Sequence, residues 1–493
     1  MLITYLKKIT VSFSIALVSV TCLAQPSPSQ GEDDMPKDYL TKEFHAGRRD
    51  ALRQSMPDNS VVAVFSYPVR NFSNDVDYFY HQNPDMYYFS GYKEPNSLLL
   101  IFKDEQTDSA GNKYNEILFV QKRNAQAEQW TGRRLGTAGA KERLGFNMAF
   151  NGDAFSTFAV DFSKFDKIIF DRLPDDVANG RDKADLFDLV QQFKEKISIP
   201  ADYSKDKRFD NKAYYQLTAS LREIKTPEEM TLLRKAVEIS CQGQNEVMKV
   251  VRPDMSEMEI QGLHEYVHKK YGAEGVGYGS IIGAGENGCV LHYMENTKTK
   301  VGNMMLLMDV GAEYHGYTAD VTRTIPANGK FSAEEKLIYQ LVYDAQEAAF
   351  KTLKKGSKWK DAEDAARNVI TDGLLKLGII KDKSESRKYY PHGLGHHIGL
   401  DVHDRGNYGT MKKDMVMTVE PGIYIPEGSN CDKKWWSIAV RIEDDALITE
   451  TGYELLSHFA PRSIEDIEKL IAQKSELDDF KLPPLKSGQK KGF

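Results

Sequence analysis

The feature that most constrains this chain is a pair of aspartates inside a segment of β-strand character. Asp309 directly follows the apolar run MMLLM, and Asp320 lies beyond a plausible turn at residues 313–316. A hairpin with its midpoint between Tyr314 and His315 makes the two aspartates face each other across the ladder, on the same side. Two buried like charges so arranged are destabilising unless a cation compensates them. The pair therefore predicts a metal site; the alternative is two solvated acids that flank a turn.

Three further side chains can complete such a site, and two of them, both glutamates, lie on strand-like runs. They are His396 in HGLGHHIGLDVH, Glu420 in TVEPGIY and Glu443 in VRIEDD. Four carboxylates and one imidazole suit a hydrolytic pair of manganese, cobalt or zinc ions better than a thiolate-bound structural zinc. Two metals that share a water generate hydroxide at neutral pH and hold a scissile carbonyl, so the set predicts a hydrolase. Asp444 and Asp445, which follow Glu443, are expected to be surface or turn acids.

A histidine cluster adds to the prediction. His392, His396, His397 and His403 fall within 12 residues of a chain that has 11 histidines. The glycines between them disfavour a long helix, so the segment is predicted to be a glycine-rich loop that leads into a strand. His397 alternates against His396 and is predicted to face away as a packed side chain. His292 stands alone in ENGCVLHYMEN, and by itself it would be interpreted as a satisfied core histidine.

Composition limits the alternatives. The chain has 493 residues, 41% hydrophobic and 28% charged, which is enough for two or more domains with large cores. The formal net charge is -7 and no long basic run occurs, so nucleic-acid binding is not expected. Cys241, Cys289 and Cys431 are scattered, which favours free thiols over a disulfide framework.

Residues 1–24 are predicted to be a signal peptide. Lys7 and Lys8 form its positive start, and residues 9–20 form an apolar stretch that is short for a membrane span. The small residues that follow place Gln25 at the new N-terminus. The sequence therefore predicts export, to the periplasm or the exterior.

Two other interpretations of this segment are a buried helix and a membrane anchor. Lipoprotein anchoring at Cys22 is a less favoured alternative, because the preceding residues fit such a site poorly. Residues 25–39 are predicted to be a disordered lead-in, and residues 475–493 a flexible tail.

The remainder divides into two predicted domains, 40–215 and 220–470. Alternating helical and strand patterns in the first predict a mixed sheet covered by helices. Its predicted helices are 44–56 and 183–196, and its predicted strands are 61–65, 87–89, 97–102, 116–121 and 167–170. In the second domain the predicted helices begin after Thr226 and at 256–270, 333–353 and 359–377, and the predicted strands are 306–312, 317–323, 415–425 and 436–449.

These motifs together resemble a known family. GENGCVLHYMEN, DVGAEYHGYTADVTRT, HGLGHHIGLDVH, TVEPGIY and RIEDD resemble the proline-specific metallopeptidases of the pita-bread fold, most closely the aminopeptidase P group. YFYHQNPDMYYFSGYKEP and EQWTGRRLG extend the resemblance into the first domain. The resemblance covers residues 40–470 and implies an α/β (α+β) fold, with a creatinase-like N-terminal domain followed by a pita-bread catalytic domain. Residues 430–436 depart from the family pattern.

The resemblance implies roles for individual residues. Asp320 and Glu443 match carboxylates that bridge two metals, and Asp309 matches a ligand of one metal only. His396 and Glu420 match ligands of the other metal, and Glu420 is also the expected proton shuttle. The positions that match substrate-binding and supporting residues are His292, His392, His403, Arg441 and Tyr424. The first-domain positions that resemble residues reaching an active site, including that of a neighbouring subunit, are Trp130 and Asp75.

The implied activity is release of the first residue from peptides with proline in second position, by a hydroxide that bridges two divalent ions. Manganese is the expected metal, with cobalt or zinc as alternatives. The resemblance also implies a homo-oligomer, either a dimer or a tetramer. Two other functions stay open: a prolidase that cleaves Xaa-Pro dipeptides, and a pita-bread module that binds peptides without catalysis.

Overall fold

The structure is a computed structural model that describes residues 38–108, 110–180, 182–479 and 482. From Leu40 onward the described residues form one compact unit. The predicted signal peptide lies outside the described residues, as do most of the predicted lead-in and tail. Among the helices that are described, none combines the length and the apolar character needed to cross a bilayer.

The N-terminal part is built around a mixed sheet. Its helices are α1 (Lys42–Ser55), α2 (Pro84–Ser90), α3 (Ala125–Thr131), α4 (Gly136–Glu142), α5 (Leu186–Lys196) and α6 (Asn211–Arg222). Its strands are β1 (Ser60–Phe65), β2 (Asn71–Ser73), β3 (Val76–Asp77), β4 (Leu98–Thr107), β5 (Lys113–Val120), β6 (Ala149–Asn151) and β7 (Lys167–Phe170). Five strands form one sheet in the order β6-β5-β4-β1-β7, in which β1 is antiparallel to β4 and parallel to β7. The predicted mixed sheet is therefore confirmed.

One predicted strand of this part is wrong. Residues 87–89 lie in helix α2, not in a strand. Asn83 caps the helix by accepting a hydrogen bond from the Asp85 backbone N–H (3.0 Å), and Pro84 occupies its first turn. Gly91, with φ of 72°, ends it. Every residue of the helix is buried, so its sequence lacks the polar face that distinguishes a surface helix from a strand.

The C-terminal part contains two groups of helices and several small sheets. Its helices are α7 (Pro227–Val250), α8 (Glu257–Lys270), α9 (Ala333–Phe350), α10 (Trp359–Lys376) and α11 (Ile464–Ile471). Its strands are β8 (Gly275–Val276), β9 (Ile281–Ala284), β10 (Met305–Val310), β11 (Ala312–Tyr314), β12 (Tyr317–Thr318), β13 (Val321–Pro326), β14 (Val416–Val419), β15 (Gly422–Ile425), β16 (Ile438–Arg441), β17 (Asp444–Ile448) and β18 (Tyr453–Leu455). The strands pair as β13-β10-β9, β12-β11-β8, β14-β17-β18 and β15-β16.

The predicted start of helix α7 is confirmed by a capping box. The Thr226 side chain accepts from the Glu229 backbone N–H, and the Glu229 carboxylate accepts from the Thr226 N–H at 2.9 Å. Helix α6, which precedes it, spans the predicted domain boundary between residues 215 and 220. The exact limits of the two domains stay a prediction.

The predicted register of the central hairpin is wrong by one position on each strand. Asp309 pairs with Thr322, and the turn centres between His315 and Gly316, where both residues have positive φ. Asp320 is therefore a diagonal neighbour of Asp309 instead of its direct partner. Because side chains alternate with a period of two, the diagonal neighbour keeps the same face, and the two aspartates still lie on one side of the ladder.

The described cysteines are free, as predicted. Cys241 is buried in helix α7, and Cys289 and Cys431 are half-buried. The predicted flexible tail begins with an ordered segment, because Ser475 is buried and a 3₁₀ turn follows at Glu476–Asp479.

Candidate metal centre

The five predicted ligands come from five points of the C-terminal part. Asp309 lies on β10 and Asp320 follows β12, while Glu420 follows β14 and Glu443 joins β16 to β17. His396 lies in the loop before β14. Backbone pairing with Thr418 fixes this loop, since the Thr418 N–H donates to the His396 carbonyl oxygen at 2.8 Å. No side chain fits at position 395, because a Cβ there would lie 2.0 Å from the Thr418 carbonyl oxygen.

All five ligands line one cavity of about 420 Å³. Single ligand atoms of Asp320, His396 and Glu443 all lie within 4.8 Å of one another. The His396 Nε2 atom is 3.5 Å from an oxygen of Asp320 and 3.5 Å from an oxygen of Glu420. The Tyr278 hydroxyl connects the remaining ligand, because it lies 2.6 Å from Asp309 Oδ1 and 2.5 Å from Asp320 Oδ1.

The electrostatics of this cage require positive charge. Burial raises the pKa of Glu443 well above its usual value, and the carboxylates of Asp320 and Glu420 raise it further. Burial also raises the pKa of Glu420, to about 8, although His396 and Arg441 oppose the shift. For His396, burial lowers the pKa, but Asp320 and Glu420 outweigh it and raise the pKa to about 9. The four carboxylates repel one another, and bound cations would relieve this repulsion. Hard oxygen donors together with one imidazole suit a pair of divalent ions.

A hydrogen-bonded chain connects the cage to His392 on the wall of the cavity. Arg441 lies 2.5 Å from Asp309 Oδ2 through Nη2 and donates to the Tyr424 hydroxyl at 3.0 Å through Nη1. The same hydroxyl lies 2.8 Å from His392 Nε2. His392 is half-buried, and burial lowers its pKa to about 4, so it is neutral at physiological pH. Tyr424 thus supports the site without lining the cavity.

Two of the other three histidines line the cavity and one does not. His292 and His403 are exposed and line the cavity, so the interpretation of His292 from its own context as a core residue is wrong. The ring of His403 packs edge-on against that of His396, with centroids 4.2 Å apart. His397 is buried with its Nε2 atom 3.3 Å from the Asn407 carbonyl oxygen, and it does not line the cavity.

The prediction that Asp444 and Asp445 are surface acids is wrong. Both side chains are fully buried on β17, a central strand. Arg323 donates to Asp444 at 2.6 Å, and Asp445 accepts from the Asp320 backbone N–H at 3.2 Å. Asp445 therefore holds the backbone of the predicted ligand Asp320. The sequence, in which Asp445 is the last of three consecutive acids, did not predict this role.

Two supporting residues were not predicted. Tyr278 bridges two aspartates, and the Thr322 hydroxyl donates to Glu443 at 2.6 Å. A register in which Asp309 pairs with Thr322 would have pointed to Thr322. Trp130 and Asp75 do not line the cavity of their own chain, and Trp130 is 84% exposed.

Comparison with known proteins places this arrangement in a class. The model of metallopeptidase family M24 matches residues 231–450, and that of the aminopeptidase P N-terminal domain matches residues 45–169. The chain therefore belongs to the M24 metallopeptidases and carries the N-terminal domain of the aminopeptidase P group, which makes it a hydrolase. The family resemblance and the fold class predicted from the sequence are confirmed.

Individual relatives narrow the comparison. Xaa-Pro aminopeptidase of Haemophilus influenzae is 35% identical over 446 residues, covering 88% of this chain and 98% of the relative. Xaa-Pro aminopeptidase of Escherichia coli is 34% identical over 447 residues, with the same coverage. The solved structure of Escherichia coli aminopeptidase P with the inhibitor Pro-Leu superposes with a TM-score of 0.76 at 32% identity, covering 88% of this chain and 98% of that one.

The crowding of carboxylates predicts strong stabilisation by metal. Added Mn²⁺ should raise the thermal unfolding midpoint, and chelation should lower it, because bound cations remove the repulsion within the folded cage. Differential scanning fluorimetry with and without EDTA measures the shift. In Asp320→Asn the shift should shrink, whereas Glu116→Gln, in the N-terminal sheet, should keep it. An unchanged midpoint on chelation of the parent protein would contradict the assignment.

Proposed function

We propose that this chain is an Xaa-Pro aminopeptidase that releases the first residue of peptides with proline in second position. The observation that carries the proposal is one cavity that joins the five-ligand cage to His292, His392 and His403. Two relatives named Xaa-Pro aminopeptidase support it, and the match covers 98% of the length of each.

Two divalent ions would be held by the side chains of the cage, which are Asp309, Asp320, His396, Glu420 and Glu443. Bound divalent ions would acidify a shared water, whose pKa falls towards about 7 in the best cases, and would polarise the scissile carbonyl. Manganese is our proposed ion; cobalt and zinc accept the same ligands. One solved Escherichia coli aminopeptidase P is described as zinc-substituted and in complex with product.

The protein side chains would supply the proton transfer and the placement of the carbonyl. Glu420 faces both His396 and His392, at 3.5 and 3.8 Å, and in this position it can carry the proton of the attacking water to the prolyl nitrogen. His292 and His403 reach the cavity from separate loops and can donate to the scissile carbonyl or to the oxyanion that develops from it. A well-placed donor of this kind contributes roughly 3–4 kcal/mol to the transition state.

Selection of proline would depend on shape. The amide nitrogen of proline carries no hydrogen, so a site that requires a backbone N–H loses a contact. Here the cavity wall includes the apolar side chains of Ile281, Leu291 and Val402. Such a wall can pack against a pyrrolidine ring, and the Tyr424 hydroxyl fixes the orientation of His392 beside it.

Peptide length distinguishes the proposal from prolidase. Purified protein titrated with Mn²⁺, Co²⁺ or Zn²⁺ should release the first residue from an Xaa-Pro-Yaa tripeptide, with Mn²⁺ giving the highest rate. Mass spectrometry of the products measures this, with the matching Xaa-Pro dipeptide in parallel. Glu420→Ala should abolish turnover, because a predicted metal ligand and the proton carrier are lost together. Cleavage of the dipeptide alone would establish a prolidase, and binding without cleavage of either would establish a peptide-binding module.

We propose that the protein is exported after removal of residues 1–24. The support is the sequence pattern of a positive start, a short apolar stretch and small residues before Gln25. N-terminal sequencing of the protein from a fractionated culture should start at Gln25 in the periplasmic or secreted fraction. Recovery in the membrane fraction with a lipid on Cys22 would establish lipoprotein anchoring instead.

We also propose a dimer or tetramer. Large aromatic side chains of the N-terminal part are exposed, among them Phe72 (63%), Phe79 (86%) and Trp130 (84%), and exposed aromatics of this kind are typical of subunit interfaces. Sedimentation velocity should give the mass of two or four chains for the parent protein and a smaller mass for Phe79→Ser. A monomeric parent protein at micromolar concentration would contradict this.

A further inference from the structure

A buried cluster of charges connects the N-terminal part to the loop that carries His403. We name Asp85, Arg222, Lys225 and Asp404 the interdomain cluster. Arg222 donates to Asp85 at 2.8 Å and also to Asp404, and Lys225 donates to Asp404 at 3.0 Å. All four residues are at most 6% exposed. Asp85 lies in helix α2, whereas Asp404 directly follows His403.

The cluster holds one closed loop. The Asp404 backbone N–H donates to the His397 carbonyl oxygen at 2.9 Å, so the two ends of the segment from His397 to Asp404 meet. His396 directly precedes this segment, and His403 is its last residue before Asp404. The rings of the two histidines are in contact. Asp404 therefore connects the interdomain cluster to the residue whose ring lies against the predicted ligand His396.

The segment from His397 to Asp404 is tightly packed against the interdomain cluster. A Cβ at Gly399 would lie 2.2 Å from Asp404 Oδ2 and 2.9 Å from Lys225 Cε. The Gly399 carbonyl oxygen accepts from the Thr318 backbone N–H at 2.9 Å, and Thr318 lies two residues before Asp320. The loop is thus fixed on one side by the charges and on the other by the strand that leads to a ligand.

Fold stability alone does not account for these charges. Moving two carboxylates and two cations out of water opposes folding, and apolar side chains of similar volume often stabilise a protein as well. The charged side chains instead fix the relative positions of two segments. The planar guanidinium of Arg222 donates to Asp85 and Asp404 at once and so fixes the distance between these two carboxylates. Tyr214 adds to this by donating to the second oxygen of Asp85 at 3.0 Å.

We propose that Asp85 is a positioning residue for the reaction, and that it acts through Arg222 and Asp404 on His403. By this arrangement the N-terminal part sets the geometry of the catalytic cavity of its own chain. The inference rests on the proposed function, in which His403 stabilises the scissile carbonyl or the oxyanion.

The test replaces Asp85 by Asn, which keeps its size and removes its charge. In Asp85→Asn, Arg222 should turn towards Asp404 and the loop should shift, so kcat on an Xaa-Pro-Yaa tripeptide should fall by about 10- to 100-fold, with a smaller change in KM. The bound metal, measured by elemental analysis, should match that of the parent protein, because no cage ligand has changed.

The matched control is Glu116→Gln. Glu116 also accepts from two arginines, at 2.8 Å from the buried Arg49 and from the half-buried Arg53, but its contacts stay within the N-terminal part. This variant should lose thermal stability and keep the parental kcat. If Asp85→Asn does not fold, Arg222→Lys replaces it with the same expectation, because a lysine keeps the charge but cannot bridge both carboxylates.

A second measurement does not depend on turnover. Diethyl pyrocarbonate modifies exposed histidines, and mass spectrometry of peptides gives the rate at His403. That rate should rise in Asp85→Asn, as the ring leaves His396, and stay parental in Glu116→Gln. Parental kcat together with a parental His403 rate in Asp85→Asn would overturn the proposal. Absence of tripeptide cleavage by the parent protein would instead refute the proposed function, and the modification rate would still test the position of His403.

Discussion

The structure depends on the confinement of four carboxylates, three of them buried and one half-buried, around one cavity. At an effective dielectric constant of about 20, two unit charges about 4 Å apart repel by about 4 kcal/mol, and the Glu443 carboxylate is repelled by those of Asp320, Glu420 and Asp309. The strands that deliver the acids must therefore be held by forces that do not come from the acids themselves. β10 and β13 pair over six residues, and the side chains Leu306, Met308 and Ile325 on them are fully buried. This apolar pairing stabilises an arrangement that electrostatics alone would disperse.

The same repulsion explains the polar groups that surround the cage. Tyr278, Thr322 and Arg441 each donate to a ligand carboxylate, and the Asp320 backbone is held by Asp445. Each of these contacts leaves fewer free lone pairs on an acid and restricts its rotamer. A carboxylate held in this way presents its remaining oxygen in a fixed direction, which a cation of defined geometry requires.

The sequence predicted which residues line the cavity better than it predicted how the strands that carry them pair. The four acids could be predicted as ligands because each follows or ends an apolar run, and His396 could be predicted because it lies in a cluster of histidines. The hairpin register could not be fixed, because moving the turn centre by one residue leaves Asp309 and Asp320 on the same face. Residues 87–89 were assigned to the wrong element because a fully buried helix shows no amphipathic period. Asp444 and Asp445 were misassigned because their partners, Arg323 and the backbone of Asp320, are more than 100 positions away in the chain.

The cage by itself does not determine which bond is cleaved. Metal ligands define where water is acidified and where an oxygen is polarised, and both effects are indifferent to the residue on either side of a peptide bond. Selection must come from groups that touch the substrate away from the reacting atoms, and in the proposed function these are the apolar side chains of Ile281, Leu291 and Val402. His392 is oriented by Tyr424 and Arg441, which also contacts Asp309, so its placement is coupled to the cage. His403 is coupled to the opposite side, through Asp404 and Arg222, to the N-terminal part. Two histidines of one cavity are thus positioned by separate networks, and only the network of His403 can change without a direct effect on a predicted metal ligand.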